Sequence, residues 1–169
     1  MSTRPSPADF HKRFAAGEQL IGTFIKTPTS HAIEIIGDLG YDFVVIDEEH
    51  APFERGSIDV CILGARASGT AAFVRVAAPT ADSILSVLDN GATGVLVPHV
   101  SSVAKAKEIV AAARYRGGKR GFAASTRAGR YGGATMASIS SRASGSSIIA
   151  MTVTVLSCAS MCSAIVAPP

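Results

Sequence analysis

The stretch that most constrains the fold is Phe43-Val44-Val45-Ile46-Asp47-Glu48-Glu49-His50-Ala51-Pro52. Four apolar residues run without alternation into three carboxylates and a histidine. An unbroken apolar run of this length, bounded by polar residues, reads as a strand buried on both faces, as in a parallel sheet. Its charged residues then sit at the C-terminal end, where open α/β sheets and (β/α) barrels place their chemistry.

The flanking sequence repeats the same logic. Residues 7–16 read as a short helix after a polar lead-in, and Ile21–Ile25 as a first strand. Ser30 suits the N-cap of a helix with Ile33, Ile35, Ile36 and Leu39 on its apolar side, closed by Gly40. A helix over residues 57–67 places Val60, Leu63 and Ala67 at helical spacing. Residues 71–76 read as a third strand, and Thr80 caps a helix carrying Ile84, Leu85, Val87 and Leu88 that ends at Asn90-Gly91. A fourth strand over 94–98 leads to a helix capped by Ser101 or Ser102, with Val103, Ala106, Ile109, Val110 and Ala113 as its apolar side. Strands alternating with helices at this spacing form βαβ units with right-handed crossovers, hence an α/β fold with a parallel sheet. Barrel and open sheet both satisfy the pattern. No Gly-x-Gly-x-x-Gly follows the first strand, which lowers the dinucleotide-binding reading.

Length and charge narrow the classes. The 169 residues suffice for one ordinary domain, whereas a closed (β/α)8 barrel takes about 250. Every Asp and Glu lies at or before Glu108; beyond it come only basic residues, Arg114 to Arg142, and none of either sign from Ala143 to Pro169. Three cysteines, Cys61, Cys158 and Cys162, form neither a disulfide framework nor a zinc spacing. Together with the lack of an apolar leader in the first residues, they point to a reducing, cytoplasmic setting. Residues 148–166 are uncharged and long enough for a spanning helix, but Thr152, Thr154, Ser157, Ser160 and Ser163 argue against a membrane role.

Four groups offer chemistry. His50 ionises near neutrality in an ordinary setting and suits general base work, with a surface histidine as the bland alternative. Asp47, Glu48 and Glu49 either attract a divalent cation or form a solvated acidic loop. Arg75 interrupts an apolar strand and needs a partner, either a ligand carboxylate or a structural ion pair with Asp47 or Asp89. The basic loop from Arg116 to Gly121 is either an anion cradle or a solvated turn.

Together these residues resemble the HpcH/HpaI aldolase family of metal-dependent pyruvate aldolases. The segments are Gly22-Thr23 with Glu34; Gly40-Tyr41-Asp42-Phe43 leading to Ile46-Asp47-Glu48-Glu49-His50; Val74-Arg75-Val76; Leu88-Asp89-Asn90-Gly91-Ala92; Val97-Pro98; and Ala113-Arg114-Tyr115 with Arg120-Gly121. Order and spacing agree over residues 20–133. The resemblance implies a (β/α)8 barrel of the phosphoenolpyruvate/pyruvate type, of which this chain holds about the first half to five strands, usually in a homo-oligomer. It implies cleavage of a 4-hydroxy-2-oxo acid to pyruvate and an aldehyde. By motif position His50 is the general base, Asp89 its partner in a dyad, and Arg75 the group holding the pyruvyl oxygens. Asp47 and Glu49 lie near the metal through water, and a divalent ion, Mg2+, Mn2+ or Co2+, polarises the keto oxygen.

The sequence departs from that pattern in its last third. The family takes its metal ligands from a Glu and an Asp on two later strands, and residues 109–169 contain neither amino acid. Residues 148–153 fall where the Glu-bearing strand belongs, with Thr152, Val153 and Thr154 in place of the carboxylate. The expectation is one incomplete aldolase-like domain with a divergent tail over 137–169, resembling a frameshift, and impaired metal-dependent turnover. The alternative is a non-catalytic remnant. The tail explains the charge asymmetry without a nucleic-acid surface.

Overall fold

The computed structural model describes residues 7–143, 150–152 and 164–165. Helix α1 (Pro7–Ala15) precedes strand β1 (Gly22–Ile25), then α2 (Ser30–Asp38), β2 (Phe43–Asp47), α3 (Arg55–Ala67), β3 (Ala71–Arg75), α4 (Ala81–Asp89), β4 (Gly94–Val97) and α5 (Val103–Ala113). A 3-10 turn (Arg130–Gly132), α6 (Met136–Ala143), β5 (Ala150–Thr152) and β6 (Ala164–Ile165) follow. The sheet order is β1-β2-β3-β4-β5-β6, with β1 to β5 parallel and β6 antiparallel to β5. This is an α/β fold consistent with part of a (β/α) barrel, and the described strands leave it open. The strand expected over 148–153 is β5, in register with β4. Most of the expected divergent tail lies outside the described residues.

Strand alternation sorts the core into two layers. Val44, Ile46, Ala72, Val74, Val95 and Val97 face the helices and pack against Ile33, Ile58, Ile62 and Ile84. Phe43, Val45, Phe73 and Leu96 face the other way and are covered by α1. Phe10 of α1 lies 5.2 Å from the Phe73 ring and 5.7 Å from that of Phe43. Gly22 makes room for this layer: a Cβ there would sit 2.3 Å from the Phe43 ring. Asp47 and Arg75 continue the Phe43–Val45 and Phe73 rows, so both emerge on this inner face at the strands' C-terminal ends.

Several expectations about helices are corrected. Thr29, not Ser30, caps α2, its side chain accepting from the His31 amide. The buried side of α2 holds Ile33 and Gly37, while Ile35 and Leu39 are exposed. In α3 the buried set is Ile58, Cys61, Ile62, Gly64 and Ala65, whereas Val60, Leu63 and Ala67 face outward. Helix α2 packs across α3 where Gly37 and Gly64 allow close approach, and that contact selects the face. Val103 of α5 is exposed as well. Among the described residues no helix is long and apolar enough to cross a membrane; the described parts of 148–166 are strands.

Candidate active site

The site is assembled at the C-terminal ends of β1 to β4. Parallel register sets Asp47 of β2 beside Arg75 of β3. Arg75 Nε donates to Asp47 Oδ1 at 2.8 Å and NH2 donates to Oδ2 at 2.6 Å, a two-pronged pair. The His50 amide donates to Asp47 Oδ1 at 3.1 Å, and Lys26 Nζ, just past β1, lies 3.1 Å from Oδ2. Asp47 is fully buried. Burial alone would raise its pKa; the Arg75 guanidinium, the His50 amide and Lys26 outweigh that and hold it at about 2.

Arg75 is nearly buried and stacks over the Phe24 ring at 5.0 Å. Glu49 Oε2 approaches its Nε at a longer 3.3 Å. The other oxygen of Glu49 sits between two imidazoles: His99 Nε2 at 3.0 Å and His50 Nε2 at 3.7 Å. Glu48 accepts weakly from the Ala77 amide at 3.4 Å. Among the described residues, the hydrogen bonds and ion pairs of Arg75 run through Nε and NH2, to Asp47 and Glu49. Of the two alternatives for Arg75, the structural pair with Asp47 is present.

Asp89 is elsewhere. It closes α4 ahead of the turn into β4, where the Thr93 amide donates to Ala72 at the start of β3. In a parallel sheet this is the end opposite His50. Its carboxylate is paired with Arg120 NH2 at 3.0 Å, and no hydrogen bond or ion pair joins it to His50. Convergence of His50, Arg75 and Asp89 within one chain is thus corrected: His50 and Arg75 share a strand-end cluster and Asp89 does not. Arg120 is also no solvated turn residue; its side chain is buried, lies 4.2 Å over the Tyr115 ring and anchors the loop to α4. Arg127 does the same beside it, reaching Asp59 and the Asn90 carbonyl.

The donor set does not fit a divalent ion. Both oxygens of Asp47 and both of Glu49 are already engaged by cationic or imidazole groups, and both carboxylates come from the C-terminal end of the one strand β2. Among the described residues no cluster of three His, Cys, Asp or Glu side chains is arranged to hold one.

Lys26, Phe24 and His99 were not singled out by sequence. Lys26 and His99 each follow a strand directly or by one residue, which is the signal that would have found them.

A family model described as HpcH/HpaI aldolase/citrate lyase matches residues 20–159, reaching past the boundary at 133 expected from motifs. The chain belongs to the HpcH/HpaI aldolase/citrate lyase family. It is 35% identical over 112 residues to a hydroxypyruvate/pyruvate aldolase of Roseobacter denitrificans, covering 66% of this chain and 44% of that protein. Its structure is similar to an HpcH/HpaI aldolase from Desulfitobacterium hafniense, with TM-score 0.76 and 25% identity over 83% of this chain and 54% of that one. It is also similar to the citrate synthase SbnG, with TM-score 0.64 and 37% identity over 66% and 46% of the two chains. The chain spans about half the length of the curated relatives it matches.

Proposed function

We propose that this chain carries the 2-oxo acid-binding half of a carbon–carbon lyase site of the kind that cleaves 4-hydroxy-2-oxo acids to pyruvate and an aldehyde. We further propose that, as written, it turns over slowly or not at all. The observation carrying the first part is Arg75. Its guanidinium is held by Asp47 at the strand ends and keeps NH1 for the carboxylate of a 2-oxo acid. The family relatives named as aldolases support that substrate class.

The second part follows from charge. Cleavage takes a proton from the C4 hydroxyl, breaks the C3–C4 bond as the aldehyde carbonyl forms at C4, and leaves the electron pair as an enolate across C3 and C2 of the pyruvate fragment. His50, with an exposed ring beside Glu49, is the base at hand. Arg75 is the cation at hand for the enolate, and Asp47 already offsets it. Loss of one preorganised electrostatic element typically costs about 100- to 1000-fold in rate. A dyad of His50 with Asp89 requires a second copy of the chain, in keeping with the homo-oligomer that the resemblance implies.

The test is binding, separate from turnover. Pyruvate and its planar analogue oxalate are titrated into the full chain by calorimetry, with EDTA present. The reading expects saturable binding in EDTA, weakened at least about tenfold in Arg75→Lys, which keeps the charge and loses the fork. No binding by the unmodified chain would refute it and favour a non-catalytic relative that has lost the site.

A further inference from the structure

His99 is a residue that neither the motifs nor the proposed chemistry uses. It follows Val97-Pro98 at the C-terminal end of β4 and has φ of 58°, the left-handed region that residues other than glycine adopt uncommonly, although His, like Asn and Asp, enters it more often than most. Backbone held in such a conformation marks a place where surrounding structure or function demands it. The consequence here is specific. The conformation sets Nε2 at 3.0 Å from Glu49 Oε1, while the ring is 76% exposed and so gains little from burial.

Glu49 joins His99 to Arg75. Its Oε2 stands 3.3 Å from Arg75 Nε, a looser contact than the 2.6 and 2.8 Å that Asp47 makes with the same guanidinium. Its Oε1 is drawn the other way by His99, with His50 at 3.7 Å on the same atom. Glu49 is therefore shared between the histidines and Arg75. Released from His99, it is free to close on Arg75 with both oxygens. Arg75 would then be flanked closely by two carboxylates, and the second would compete directly with an incoming anion for the guanidinium.

We propose that His99 is a positioning residue of the strand-end site: by holding Glu49 off Arg75 it keeps the guanidinium open to the carboxylate of a 2-oxo acid. The role rests on the 2-oxo acid reading given above. Lys26, which also faces this cluster, pairs with Asp47 rather than Glu49 and does not replace His99.

The test uses oxalate as probe, titrated into the full-length chain in EDTA, with His99→Leu, His99→Gln and His99→Gly. Leu removes the polar contact at similar size. Gln returns a nitrogen donor near the position of Nε2. Gly relieves the left-handed backbone and removes the side chain. The expected result is oxalate affinity about tenfold weaker in His99→Leu and restored to within about threefold in His99→Gln. His99→Gly should raise the melting temperature yet bind as weakly as His99→Leu, a split that a merely structural residue would not give. Equal affinity in the unmodified chain and His99→Leu would overturn the inference and leave the 2-oxo acid reading standing. So would failure of folded His99→Gln to recover. Absence of oxalate binding by the unmodified chain overturns both.

Discussion

Replacing Asp47 with Asn should destabilise the protein strongly at neutral pH and far less at pH 2. Asp47 is fully buried between Arg75, Lys26 and the His50 amide. Asn keeps the shape and removes the charge, leaving a nearly buried guanidinium whose closest remaining partner is Glu49 at 3.3 Å. Breaking a buried pair on one side costs about 3–5 kcal/mol, and the residual contacts of Arg75 with Glu49 and Phe24 favour the lower figure. The pH dependence comes from the carboxylate itself. Its pKa is held at about 2 against an ordinary 3.8, which corresponds to roughly 2 kcal/mol of stability. A depressed pKa contributes fully above the unfolded value and is lost as pH falls through the folded one. The difference between the two proteins should therefore be constant above about pH 4 and shrink by roughly 2 kcal/mol on approaching pH 2. Urea unfolding of both proteins at intervals from pH 7 to pH 2 measures it, and taking the difference removes the titration of the other carboxylates. A difference below about 1 kcal/mol at pH 7, or one that does not change between pH 4 and 2, would mean that the Asp47 carboxylate does not stabilise the fold through Arg75.

Two further outcomes test the packing. Gly37→Ala should cost about 2 kcal/mol, because the new Cβ would lie 2.4 Å from Ser68 Oγ and 2.6 Å from Thr70 Oγ1, both in buried residues; denaturant midpoints will show it. Adjacent positions on α3 should behave oppositely: Ile62→Ala should lose about 2–5 kcal/mol, whereas Leu63→Ala should stay within about 0.5 kcal/mol.

The parts legible in the sequence are those with one physical solution. Phe43–Asp47 is apolar on both faces, so it had to be a doubly buried strand, and its bounds emerge as expected. The turns at Gly40 and Gly91 announce themselves because both take φ near 90°. The same pattern misled at α3, where the wrong side was read as buried. Val60, Leu63 and Ala67 have helical spacing, but so do Ile58, Cys61, Ile62 and Ala65, and only the close approach of α2 decides between them. Arg75 was legible as a residue needing a partner, and sheet register chose Asp47. Asp89 is a different kind of miss. Its motif position suggested convergence with His50, whereas the topology of parallel strands already puts the end of α4 at the far side of the sheet. His99 was legible only as a histidine just past a strand end, whereas the backbone angle and the Glu49 contact that distinguish it are set by the folded structure.

On the function proposed above, this chain binds a 2-oxo acid through Arg75 and removes a proton through His50 but lacks an adequate sink for the enolate. The decisive assay is pyruvate release from a 4-hydroxy-2-oxo acid by the full chain, with Mg2+, Mn2+ or Co2+ and with EDTA. The expected result is a rate at or near background that neither the ions nor EDTA changes, in the unmodified chain and in His50→Ala alike. Robust release that EDTA abolishes and His50→Ala loses would contradict the account. It would mean that Asp47 and Glu49, or groups from another copy, surround an ion after all.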